Sequence, residues 1–201
     1  MSGRIVVLIS GSGSNMEALA EACERSEVPG EIVAVVSDRD CLGMRAAEKR
    51  RFETSVLEPT SFGSREGWSE ALRDLVLSFE PDLVVSAGFM RILSPAFVDE
   101  FAGRLINLHP ALLPAFRGAH AVRDALESGV KVTGTTIHFV DREVDHGPIL
   151  LQEPVRIDAG DDESSLHERI KAIEHRLLPQ ACRLLLEGKV VVADGKTVIR
   201  D

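Results

Sequence analysis

The sequence predicts an α/β fold: a Rossmann-like, mostly parallel sheet flanked by helices, with antiparallel strands in the C-terminal half. Three observations carry this expectation. Continuous apolar runs (Ile5 to Ile9, Ile32 to Val36, Leu83 to Val85) alternate with amphipathic stretches, the pattern of parallel strands covered on both faces and joined by helical crossovers. A glycine-rich turn, Ser10-Gly11-Ser12-Gly13-Ser14-Asn15, separates the first run from the first helical pattern. Beyond residue 130 the chain alternates polar and apolar residues and carries an Asp194-Gly195 turn, both marks of antiparallel pairing.

Met1 to Arg4 leads straight into the first strand. Its apolar stretch is too short for a signal peptide, and nothing is long enough to span a membrane, so a cytoplasmic location is expected. The turn after that strand aims unpaired backbone N–H groups and the positive end of a helix dipole at one point, which suits a phosphate. Met16 stands where the dinucleotide fingerprint has its third glycine, and the Gly-Lys-Ser/Thr of the P-loop is missing, so neither of those loops fits. A mononucleotide or sugar-phosphate loop remains, beside a simple tight connection with an Asn or Ser cap.

The first helix runs through Met16, Leu19, Ala20 and Cys23; a second is expected over Leu42 to Arg51, and Thr54 to Leu57 reads as a short strand. Turn residues Pro59 to Gly63 precede a helix from Ser64 to Phe79, with Trp68, Leu72, Leu75, Val76 and Phe79 as its buried stripe. Leu83 to Ser86 then opens into Ala87-Gly88-Phe89-Met90-Arg91-Ile92-Leu93, one cation among apolar side chains. That lining suits a flat aromatic ligand with polar edges, or else a loop buried for packing. A short helix over Pro95 to Phe101 leads to the strand Leu105 to His109. Its end presents Asn107 and His109 two residues apart, hence on one face, and Pro110 stops the ladder. A donor for an oxyanion beside a titratable ring suits acyl transfer; a polar strand end is the plainer reading. The glycine turn, the Met90 to Leu93 loop and the Asn107/His109 pair all fall at carboxyl ends of parallel strands, where such sheets bind ligands.

A helix from about Ala119 stops at Gly129, and Lys131 to Val140 alternates with Thr136 and His138 on a polar face. Asp141 to Pro148 forms an acidic turn before the returning strand Ile149 to Gln152. Asp145 there either shapes the turn or sets the charge and orientation of His109. Asp161-Asp162-Glu163-Ser164 starts a last helix whose core stripe is Leu166, Ile170, Ile173 and Leu177. Lys171 and Glu174 lie on its other side, where most residues are solvated, and Pro179 is expected to kink or interrupt it.

At 201 residues one domain is expected, residues 1–105 forming a phosphate-binding half and 106–201 a half carrying the catalytic residues. A formal charge of −9 without any dense Lys/Arg run argues for small-molecule substrates and against nucleic acid. Three well-separated cysteines, Cys23, Cys41 and Cys182, offer neither a disulfide framework nor a zinc site, and His109, His120 and His138 lack ligand spacing, so no metal is expected. Monomer and homodimer both remain open.

Four stretches together resemble a known family: Val7 to Asn15, Ala87 to Pro95, Asn107-Leu108-His109-Pro110 with Leu112-Leu113-Pro114, and Gly134-Thr135 through Asp145-His146-Gly147-Pro148. They are similar, in order and over nearly the full chain, to the phosphoribosylglycinamide formyltransferases, folate-dependent enzymes of the formyltransferase fold. The resemblance implies transfer of a formyl group from 10-formyltetrahydrofolate, as co-substrate, to the amine of glycinamide ribonucleotide in de novo purine synthesis. It implies Asn107, His109 and Asp145 as the catalytic trio, with Asn107 holding the oxyanion, a charged His109 adding electrostatic stabilisation, and Asp145 pairing with His109 and relaying the proton. It places the ribonucleotide on Gly11, Ser12, Gly13, Ser14, Asn15, Pro110, Lys171 and Glu174. It places the folate on Arg65, Met90, Arg91, Ile92, Leu93, Val140 and Asp141, with Asn107 and Asp145 touching it as well. Ser12 departs from the Asn found in many members, and Asp141 to Val144 varies the acidic turn. The alternatives are a methionyl-tRNA formyltransferase-like core, a formyltetrahydrofolate hydrolase, and a noncatalytic folate-binding protein.

Overall fold

A computed structural model describes residues 2–200. Strands β1 (Gly3–Ile9), β2 (Gly30–Ser37), β3 (Glu53–Val56), β4 (Leu83–Ser86) and β5 (Leu105–His109) are mutually parallel, and β6 (Val132–Phe139) and β7 (Ile149–Arg156) add antiparallel to β5. The seven-stranded sheet has the order β3-β2-β1-β4-β5-β6-β7, and strands β8 (Val190–Ala193) and β9 (Lys196–Ile199) form a separate hairpin. The order reverses direction at the β1/β4 boundary, which opens a crevice at the carboxyl ends of these strands.

Both faces of β1 are buried, which explains its unbroken apolar run. Ile5, Val7 and Ile9 point into one core with Met16 and Leu19 of α1 (Ser14–Glu24), Met44 of α2 (Leu42–Lys49) and Leu177, Leu178 and Cys182 of α6 (Glu163–Leu186). Val6 and Leu8 point into the other, with Trp68, Leu72 and Val76 of α3 (Arg65–Ser78) and Phe97 of α4 (Pro95–Glu100). The period of two along the strand thus serves two cores at once. A smaller cluster joins Val122 of α5 (Ala121–Ser128), Val155, Leu166 and Ile170.

Local chemistry sets the element ends. Ser64 accepts from Gly67 N–H at 3.0 Å to start α3, and Asp162 with Ser165 forms a reciprocal capping box on α6. Asp194 and Gly195 both take positive φ, 50° and 71°, as the tight hairpin turn of β8 and β9 demands.

The structure corrects two expectations. Helix α6 is continuous through Pro179 rather than interrupted. The proline forgoes one helical hydrogen bond, but it and its neighbours Leu177, Leu178, Ala181 and Cys182 are all buried, so packing holds the axis together. Glu174 is buried at 4% exposure, not solvated, because α6 lies against α1 and β6. Thr136 and His138 are likewise covered, so the polar face of β6 looks into the protein. Among the described residues no helix is long and apolar enough to cross a membrane.

Candidate active site

The end of β5 is the centre of the site. Its antiparallel ladder with β6 sets Asn107 opposite His138 and His109 opposite Thr136. Residues facing each other across such a ladder share a sheet face, so four polar side chains converge on one side. The turn after β6 brings Asp145 over them. Gly147 makes that return possible: a Cβ there would collide with the Phe139 carbonyl, so a side chain would push the turn off the strand end. Asp145 itself sits in the left-handed region, φ 50°, a conformation Asp tolerates better than most residues.

Asp145 is the hub of the resulting network. Its Oδ2 accepts from Gly118 N–H at 2.8 Å and stands 3.3 Å from His109 Nδ1; its Oδ1 lies 3.5 Å from Asn107 Nδ2 and 3.6 Å from His138 Nε2. On its far side His109 Nε2 is 2.7 Å from the carbonyl of Phe116, a residue itself held at φ 54°. His138 Nδ1 lies 2.8 Å from the Phe139 carbonyl, which can only accept, so that nitrogen carries a hydrogen. In the neutral ring Nε2 is then an acceptor, and Asn107 Nδ2 donates to it at 3.2 Å. One amide hydrogen of Asn107 is thereby anchored. The other has only the 3.5 Å approach to Asp145, the limit of a hydrogen bond, and can turn to a better acceptor.

Burial is the largest influence on both Asp145 and His109. It pushes the Asp145 carboxyl upward, but the neighbouring His138 ring, the Gly118 N–H and the proximity of His109 outweigh it, leaving the group below its ordinary value and ionised. It pushes His109 downward, and there it wins: the charge of Asp145 and the Phe116 carbonyl pull the other way without restoring the usual imidazole value. The ring still has an acceptor at each nitrogen, an environment only the doubly protonated form satisfies. His109 is therefore poised, in a cage built for the cation while burial lowers its affinity for the second proton.

The loop carrying Phe116 and Gly118 is pinned to β6 and β7. Thr136 Oγ1 donates to the Ala111 carbonyl at 2.7 Å and accepts from Leu113 N–H at 3.0 Å, and Gln152 Nε2 reaches the Leu113 carbonyl at 2.8 Å. Pro110, half-buried, begins this loop.

The glycine turn lies at the end of β1. The N-cap of α1 is Gly13, at φ 76°, and no side chain caps the helix, so the first-turn N–H groups stay open at the positive end of the dipole. Gly11 and Ser12 are exposed, Ser14 half-buried. Asn15 Nδ2 donates to Glu174 Oε2 at 2.8 Å, and Thr135 Oγ1 lies 3.3 Å from the other carboxylate oxygen, so the turn, β6 and α6 meet at one buried acid. Thr135 Oγ1 is also 3.2 Å from the His109 carbonyl, which places Glu174 one residue from the end of β5. Lys171, one turn earlier on α6, pairs with Glu168 at 2.9 Å.

The loop after β4 forms the opposite wall. Met90 and Ile92 are exposed, while Leu93 and Val140 pack on the Phe89, Phe97 and Leu105 core. Met90, Arg91 and Ile92 line a cleft of about 450 Å³ with Arg65 and Trp68, and Arg65 donates to the Ile92 carbonyl at 3.2 Å. Asp141 closes the acidic turn on itself, accepting from Glu143 N–H at 3.0 Å and lying 2.7 Å from His146 Nδ1. The structure brings Asn107, His109 and Asp145 together directly, and Asn15 and Glu174 likewise.

His138, Gly118 and the Phe116 carbonyl are the site groups the sequence did not reveal. The alternation of Thr136 and His138 was the available signal for the first; it lacked the β5/β6 register that sets His138 against Asn107. Two backbone groups leave no signal in side-chain chemistry. Among the described residues no group of three or more His, Cys, Asp or Glu is placed to hold a metal.

Comparison with known proteins gives the family. The formyl transferase family model matches residues 3–182. A phosphoribosylglycinamide formyltransferase of Mycobacterium tuberculosis is 48% identical over 194 residues, spanning 96% of this chain and 89% of that protein, and the one from Escherichia coli is 43% identical over 187 residues, 92% and 88%. The crystal structure of glycinamide ribonucleotide transformylase 1 from Symbiobacterium toebii superposes with a TM-score of 0.97 at 42% identity, covering 99% of this chain and 94% of that one. The chain belongs to the formyl transferase family, among its phosphoribosylglycinamide formyltransferases.

Proposed function

We propose that this chain transfers the formyl group of 10-formyltetrahydrofolate to the primary amine of glycinamide ribonucleotide, with Asn107, His109 and Asp145 as the reacting-centre residues. The observation that carries the reading is the loosely held second hydrogen of Asn107, beside an ionised Asp145 and a poised His109 at one strand end. The new C–N bond forms as the amine nitrogen attacks the formyl carbon, and negative charge gathers on the carbonyl oxygen. Asn107 donates to that oxygen, and His109 stabilises it as its proton affinity rises in the presence of an anion. Asp145 takes the proton lost by the amine, directly or through a water, and the C–N bond to the folate breaks as that nitrogen gains a proton. No covalent bond to the enzyme is needed, since holding both substrates at one strand end supplies much of the acceleration.

The open N–H groups of Gly13 to Asn15 take the ribonucleotide phosphate, and Glu174 and Lys171 flank it. Met90, Arg91, Ile92, Leu93, Val140 and Asp141 hold the folate, whose anionic tail extends along the cleft to Arg65. Incubating the protein with both substrates and measuring formylated ribonucleotide by mass spectrometry tests the reading. Product is expected only when both are present; loss of formyl-folate without the amine would instead identify a hydrolase.

A further inference from the structure

One buried charge near the site is used by none of the steps above. Asp38, at the end of β2, has a fully covered carboxylate. Arg91 Nε donates to its Oδ2 at 2.6 Å, and Arg39 Nη2 to the same atom at 2.9 Å. Beside them, Ser10 Oγ accepts from Met90 N–H at 2.8 Å. Burial alone would raise this carboxyl, but Arg39, Ser10 and Arg91 outweigh it and hold it at about 2.

The connections cross the crevice. Ser10 is the last residue before the glycine turn at the end of β1, and Met90 and Arg91 stand at the tip of the loop after β4. Besides these bonds, that tip is tied by Arg65 to the Ile92 carbonyl and by Phe89 stacked 6.3 Å from Trp68, both of which act from the α3 side. On the β1 side the side chain of Asp38 and the hydroxyl of Ser10 make the tie. Arg39 and Arg91, each about half-exposed, share one carboxylate oxygen, so a neutral residue at 38 would leave two neighbouring guanidinium groups repelling each other and the loop free to shift.

We propose that Asp38 is a positioning residue that, by holding Arg91 beside the Ser10–Met90 bond, keeps the phosphate-binding turn and the folate-binding loop in fixed mutual register. The proposal rests on the assignment of those two subsites under the proposed function. It implies that binding of both substrates, rather than the chemical step at Asn107, depends on a charge in neither subsite.

Steady-state kinetics of Asp38→Asn, isosteric but uncharged, provides the test. KM for 10-formyltetrahydrofolate and for glycinamide ribonucleotide should each rise at least threefold while kcat stays within twofold of wild type. Adding Asp38→Asn to Arg91→Gln should change little beyond Arg91→Gln alone, because that variant has already cut the link. Ser10→Ala, which keeps the charge and deletes the bridging hydroxyl, should raise both KM values in the same direction and serves alone if Asp38→Asn does not fold. Unchanged KM values with a lowered melting temperature, a rise for one substrate only, or full additivity would overturn the proposal. Failure of the function itself would show separately, as wild-type protein without ribonucleotide-dependent turnover.

Discussion

Asn107 and His138 face each other across the β5/β6 ladder with amide nitrogen and ring Nε2 3.2 Å apart, and the Phe139 carbonyl fixes which ring nitrogen is free to accept. The relationship orients the Asn107 amide, which in the proposed function would meet the developing oxyanion. It also divides labour between two histidines: His138 aims Asn107, and His109 answers to Asp145.

Replacing Asn107 by Ala should lower kcat by a factor of hundreds to a thousand, about 3–4 kcal/mol, the usual effect of deleting an oxyanion donor. Folate binding, measured by titration calorimetry, should remain near wild type. A variant retaining a tenth of wild-type kcat would exclude this role.

His138→Leu should act through Asn107. Losing one hydrogen bond that orients the amide is worth about 1–1.5 kcal/mol, so kcat should fall roughly tenfold with both KM values little changed. His138→Asn, which can still offer an acceptor, should recover part of the loss. Equal kcat in His138→Leu and wild type would show that the amide needs no guide.

His109 should titrate below 6.5, its ordinary value, when its ring carbons are followed by NMR in the ligand-free protein. The sign for stability follows: an imidazole whose folded value is lowered costs nothing above 6.5, and its charging destabilises the fold as pH falls from there through the folded value. Asp145→Asn removes the charge that supports the cation, so the midpoint should move lower still. A midpoint above 6.5, or one indifferent to Asp145→Asn, would contradict the balance of burial over pairing.

Gly13→Ala should destabilise the protein by about 1–3 kcal/mol in urea unfolding, the range for a residue forced into an unfavourable backbone region. Its Cβ would stand 2.7 Å from the Gly43 Cα at φ 76°, so α1 and α2 must part to admit it. KM for the ribonucleotide should rise more than that for the folate, because the open N–H groups of this turn move first. Unchanged stability would mean the two helices are not in firm contact.

Much of the fold was legible because periodicity and punctuation are local. The apolar runs of β1, β2 and β4, the glycine turn before α1, Gly129 after α5 and the Asp194-Gly195 hairpin each follow from side-chain size, backbone freedom or the pleat. Asn107 and His109 could be paired on one face for the same reason, since alternation along a strand needs no partner. Pro179 was misread because its local preference was outvoted by the buried surface that α6 lays across α1 and β6, a term no window of sequence contains.

By itself the sequence determined which residue types meet strand ends and, through its motifs, the family. Tertiary structure alone decided the β5/β6 register that sets His138 against Asn107, and the close return at Gly147 that lowers Asp145 onto both histidines. It also decided which partners outweigh burial to keep Asp38 and Asp145 ionised, and that burial outweighs the partners of His109 and lowers its proton affinity. The physical reason is common to all three. Register, burial and electrostatic neighbours are relations between segments far apart in the chain, whereas periodicity and turn chemistry belong to one segment at a time.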